Sequence, residues 1–114
     1  YKASEADTGN NTADISKSTF EDAGNDQIEV ESEDGDGSGT VTVNVSKTTS
    51  TGADGSGVKA VEDDGGAVLV TVDKSTLADN GEWGVEAEGG SGSVNVSKSD
   101  LSGNVDGEVE LDIS

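Results

Sequence analysis

Apolar residues recur along this chain in pairs two positions apart, and the pairs themselves recur. Ala13/Ile15, Val43/Val45, Val70/Val72 and Val94/Val96 lie four and two residues before a lysine, at Lys17, Lys47, Lys74 and Lys98. Phe20, Ser50, Leu77 and Leu101 stand three residues after it. Ile28/Val30, Val58/Ala60, Val85/Ala87 and Val109/Leu111 stand eleven and thirteen after it. No gap is needed within the units 13–30, 43–60, 70–87 or 94–111; only the spacers 31–42, 61–69 and 88–93 differ. A spacing kept while identities drift marks a repeated supersecondary unit.

Within each unit the apolar pairs alternate with Thr, Asn, Asp and Glu, the two-residue period of a half-buried strand. β-Branched residues dominate the inward positions, as in Val41-Val43-Val45 and Val68-Val70-Val72. That choice suits a pleated surface better than a helix. The pattern predicts about eight short strands and no helix. Ten residues join the two strands of a unit, too many for a two-residue hairpin. Each unit therefore reads as an arch from one sheet to another, with Phe20, Leu77 or Leu101 tucked beneath it. Glycine and acid fill the spacers, supplying the positive φ of hairpin turns. The expected fold is all-β, a two-layer antiparallel β-sandwich, immunoglobulin-like or jelly-roll-like, built from four two-strand arches. Residues 1–12 have no repeat counterpart and read as a polar arm ahead of a single domain over 13–114.

Composition sharpens this picture. Hydrophobic residues make up only 29% of the 114 residues, so the core is lean. Asp and Glu number 25 against six lysines and no arginine, giving a net charge of −19. Such a chain repels itself in dilute buffer. At molar salt the Debye length falls to about 3 Å and the repulsion is screened. The balance predicts a protein of a high-salt habitat, with an ordinary acidic secreted domain as the alternative, and it excludes a direct nucleic-acid partner, because nothing basic meets phosphate. The sequence has no Cys, hence no disulfide or thiolate site, and no apolar stretch of membrane-spanning length. The chain begins at Tyr1 rather than Met, which reads as a processed form or a cut domain.

Catalysis has little to work with. Without His, Cys or Arg, an imidazole base and a Cys nucleophile are excluded, and the acids fall on outward strand positions or in turns. No enzyme is expected. One cofactor is worth weighing. Asp34-x-Asp36-x-Ser38-Gly39 opens like a calcium loop, but Val45 stands where the bidentate Glu of the twelfth position belongs. Ca²⁺ at Asp34, Asp36 and Ser38 and plainly solvated turn acids are the two readings. Sequons at Asn10, Asn44 and Asn95 offer glycan sites on an outer face, or arise by chance in an Asn/Ser/Thr-rich chain.

Leu77-x-Asp79-x-Gly81-x-Trp83-x-Val85 resembles the corner between strands E and F of immunoglobulin-like domains, with Trp83 in the tyrosine place and Val85 in the cysteine place. The resemblance implies an inter-sheet arch; Trp83, two residues from Val85, falls on the inward face and reads as core. The wider texture, acidic, Cys-free and rich in Gly, Ser, Thr and Val, is similar to haloarchaeal cell-surface and S-layer-like modules and to haloviral virion proteins. That resemblance implies an extracellular or virion-surface location and a structural, self-assembling role with identical or scaffold subunits as partners. The alternative is an adhesive or carbohydrate-binding module. The C-terminal run carrying Val105, Val109, Leu111 and Ile113 is the expected assembly segment, able to complete a neighbour's sheet by edge addition or to close its own.

Overall fold

The computed structural model describes residues 1–5, 10–32, 39–63 and 65–113, which form twelve strands and no helix. Strand β1 (Lys2–Glu5) precedes the first full coil, made of β2 (Asn11–Ser16), β3 (Thr19–Glu21) and β4 (Ile28–Ser32). The second coil is β5 (Thr40–Ser46), β6 (Thr49–Thr51) and β7 (Val58–Glu62); the third is β8 (Ala67–Asp73), β9 (Thr76–Ala78) and β10 (Trp83–Gly89). The fourth has β11 (Ser91–Ser97) and β12 (Gly107–Ile113), its short middle side reduced to a single bridge between Thr76 and Asp100.

Every strand pairs in parallel with its equivalent one coil away. The result is a β-solenoid with three sheets, ordered β1-β4-β7-β10-β12, β11-β8-β5-β2 and β3-β6-β9. Register follows the sequence repeat residue for residue. Ala13 pairs with Val43, Val43 with Val70 and Val70 with Val94; Ile28 pairs with Val58, Val58 with Val85 and Val85 with Val109.

The antiparallel two-layer sandwich, immunoglobulin-like or jelly-roll-like, is therefore wrong, and so are the two-strand arches. Alternation with period two identifies strands but not the direction of their neighbours. Repeats of identical spacing bring equivalent residues side by side only when coils stack in parallel, and periods of 20–50 residues are the mark of solenoids. The ten-residue connection holds a third strand of three residues centred on the supposed arch residue: Phe20 in β3, Ser50 in β6, Leu77 in β9. The stretch from Leu77 to Val85 turns between two sides of one coil, not between two sandwich layers. Part of the polar arm 1–12 also belongs to the sheets, since Lys2–Glu5 pairs with β4 and Asn11 and Thr12 lie in β2.

The core is a column of small apolar residues. Val30, Val43, Val58, Val70, Val85, Ala87 and Leu77 are essentially inaccessible. Each inward side chain stacks on its equivalents about 4.8 Å above and below. The inward assignments hold for the repeated apolar pairs of the first three coils, while Phe20 remains partly buried and Trp83, expected inward, is only half-buried.

Candidate functional site

Four features of the solenoid wall carry chemistry: two polar ladders at its corners, an acidic face and an uncovered end. The first ladder occupies the corner between the four-stranded and three-stranded sheets. Ser18, Thr48, Ser75 and Ser99 each donate a hydroxyl to the carbonyl two residues back, at 2.8–2.9 Å. The Thr48, Ser75 and Ser99 oxygens also accept an amide of the preceding coil: Ser18 N–H to Thr48, Thr48 N–H to Ser75 (3.1 Å) and Ser75 N–H to Ser99 (3.0 Å). Backbone groups that a sharp corner leaves unpaired are thus satisfied coil by coil. The signal was in the sequence, because a Ser or Thr follows every repeated lysine.

The lysines themselves, Lys17, Lys47, Lys74 and Lys98, all adopt left-handed backbone conformations, with φ of 51°, 49°, 50° and 50°. At the next corner the equivalent left-handed positions are Asp22, Gly52, Asp79 and Gly103. There an asparagine ladder replaces the hydroxyls. Asn80, 1% exposed, accepts the Ala53 amide at 3.0 Å and donates to the Ser50 carbonyl and to Asn104 Oδ1. Asn104 donates in turn to the Leu77 and Leu101 carbonyls.

The outer face of the five-stranded sheet is acidic. Lys2 bridges Glu29 at 3.5 Å and Glu31 at 3.1 Å, and its hydrogen bond to Glu31 followed by the charge of Glu29 holds its pKa above the ordinary lysine value. Burial pulls Lys59 down, but Glu86, Asp26, Glu88 and Glu29 outweigh it and raise the ammonium's pKa. Glu86 is nearly buried and accepts the Ser56 hydroxyl at 3.0 Å. Burial, then repulsion from Glu86, raises the carboxyls of Glu82 and Glu88. Asp100 is held below the carboxylate range by the Ser102 hydroxyl and amide. A cleft of about 160 Å³ opens beside this face, lined by Glu62, Asp63, Glu88, Asp112 and Gly65, Gly89 and Gly90. Among the described residues no group of three or more acids is arranged to hold a metal. Asp34, Asp36 and Ser38, the expected calcium ligands, lie outside the described residues.

The fourth coil is where the predicted assembly residues meet. Val105 is 76% exposed, Val109 38%, Leu111 40% and Ile113 42%. Val109, Leu111 and Ile113 continue the inward rows of β10, but among the described residues no coil covers them, and Val96 on β11 is likewise 40% exposed. One edge of β12 and one of β11 are free. Trp83 is not the core residue expected; it is half-buried at the start of β10. A Cβ on Gly107 would come within 2.7 Å of its ring, so only glycine fits beneath it. The sequons are dispersed. Asn10 accepts the Thr40 amide, Asn44 donates to Asp14 at 2.7 Å, and Asn95 is exposed on the outer face of β11. In comparisons with protein-family models, curated proteins and solved structures, nothing matches this chain.

Proposed function

We propose that this chain is a non-enzymatic structural subunit of an extracellular or virion surface in a high-salt organism, and that it assembles through its fourth coil. The observation that carries this reading is the uncovered apolar row Val109, Leu111 and Ile113 beside a free seven-residue edge strand. Exposed edges and apolar rows are templates for added strands, and proteins that stay monomeric blunt them with charge, proline or bulges. The inward side of β12 has none of these. The chemistry of the chain supports the same reading, since it lacks His, Cys and Arg and most of its described carboxylates, Glu62 and Glu86 excepted, line a solvated wall.

Light scattering or sedimentation in molar salt tests it. The parent protein is expected to form species larger than a monomer at tens of micromolar concentration. Leu111→Lys with Ile113→Lys, placed at exposed positions, is expected to return it to a folded monomer. A parent that stays monomeric at every concentration and salt level would sink the proposal.

A further inference from the structure

The four repeated lysines form one line. Register places Lys17, Lys47, Lys74 and Lys98 at the same corner of successive coils, about 4.8 Å apart, so the ridge runs on the order of 14 Å along the solenoid. All four are exposed, and among the described residues none makes an ion pair. The backbone does not demand lysine there. A left-handed residue is most easily glycine, and the chain uses glycine at the neighbouring corner in the second and fourth coils. Four like charges stacked at that spacing also repel one another. The ridge therefore holds four strained, mutually repelling cations on a molecule that carries only six.

What faces away from the ridge decides its partner. The ridge lies at the corner between the four-stranded and three-stranded sheets, opposite the five-stranded sheet. That opposite face carries Glu29 and Glu31 in the first coil, Glu86 and Glu88 in the third, and Glu110 and Asp112 in the fourth, one row per coil at the same rise. Only the second coil breaks the pattern, with Lys59 and Val61. We propose that copies of this chain associate side by side, with the lysine ridge of one lying along the acidic face of the next. The two surfaces share a spacing because they belong to the same coils, so in parallel solenoids the ridge meets Glu88 of the third coil and Glu110 and Asp112 of the fourth, while Lys2 already bridges Glu29 and Glu31 in the first and Glu86 is held by Ser56. Because they lie on opposite sides of the molecule, the contact is heterologous and does not close: it generates an open row or sheet. This rests on the self-assembly reading above and adds its lateral direction.

Charge exchange tests it by electron microscopy and sedimentation at about 0.15–0.5 M salt. Close pairs still act there, although longer-range fields are screened. Lys74→Glu with Lys98→Glu is expected to raise the concentration needed for lateral arrays at least about tenfold, with circular dichroism unchanged. Glu88→Lys with Glu110→Lys is expected to do the same, and mixing the two variants is expected to restore arrays. Assemblies of unchanged width and threshold in both variants would overturn the ridge proposal while leaving end-to-end association through Leu111 and Ile113 intact. A parent that never assembles would overturn both. Ridge-dependent binding of alginate by a protein that remains monomeric would assign the ridge to an anionic polysaccharide instead and overturn contact between copies.

Discussion

Ser75→Ala removes the most enclosed rung of the hydroxyl ladder. Its Oγ accepts the Thr48 amide at 3.1 Å and donates to the Asp73 carbonyl at 2.9 Å. The carbonyl is not stranded by the change, because the Lys47 amide also donates to it at 3.0 Å. The Thr48 N–H has no such substitute, on a residue only 1% exposed. A buried donor left unsatisfied costs roughly 1–3 kcal/mol, so a loss of about 2 kcal/mol is expected. Ser18→Ala supplies the control. Its hydroxyl makes the same bond to the carbonyl two residues back, at 2.8 Å, but on an exposed rim. Among the described residues no amide donates to it, and its loss should stay within about 0.5 kcal/mol. Urea unfolding in molar salt reads both as midpoint shifts at constant slope. On heating, 2 kcal/mol corresponds to roughly 6–12 °C for a chain of this size. Equal effects from the two alanines would show that the hydroxyls serve the local turn rather than the stacking between coils.

Leu77→Ala empties a fully buried site on the shortest sheet and should destabilise by about 2–5 kcal/mol. Ser50→Ala, its equivalent one coil away, loses a 3.3 Å bond to the Gly57 carbonyl and should cost about 0.5–1.5 kcal/mol, read by the same urea titration. Lys47→Gly relieves a left-handed side chain and should leave the melting temperature unchanged or higher by the equivalent of up to about 1 kcal/mol. Glu82 and Glu88 hold protons more tightly folded than unfolded, so stability should rise as pH falls from 7 toward the ordinary carboxylate range, where the gain is complete. Asp100 acts in the opposite sense, its stabilisation vanishing as pH drops through its lowered value; a melting temperature that declines steadily from pH 7 to 5 would contradict the raised pair. Screening among 25 acids should raise the melting temperature continuously from low to molar salt, measured by calorimetry.

Much of the wall was legible before its path was. The alternation around Val43, Val70 and Val85 gave strand positions and inward faces, and the unit boundaries gave the pairing register without being read as such. Direction was lost because a period of two is the same in parallel and antiparallel sheets. The third side was lost because β3, β6 and β9 are three residues each, shorter than any alternation can reveal. The ladders left clear traces, a hydroxyl after each lysine and Asn80 and Asn104 24 residues apart. Those residues carry their meaning only once equivalent positions are known to touch. Trp83 was misplaced for a related reason: its parity matches Val85, but its ring sits over Gly107 at the solenoid's last coil.

The lean core and the open end have one cause. A sandwich of this length needs large side chains to fill the gap between layers, whereas a solenoid asks each inward residue only to fill its own level and to touch its equivalents on both sides. Valine and alanine suffice for that, and 29% hydrophobic residues are enough. The same economy leaves the fourth coil with one neighbour instead of two among the described residues. An apolar level in a repeat fold calls for another level or a polar cap against it. The first and fourth coils differ in that respect. Ala13 and Ile15 in the first coil are 2% and 8% exposed, while their counterpart Val96 in the fourth is 40% exposed, as is Leu111 on β12. Acid is abundant in this sequence and occupies the outward positions of β12, yet none is spent on its inward row. A chain that carries 25 acids and leaves that one row apolar is built to have the row covered, by a further coil or by another copy.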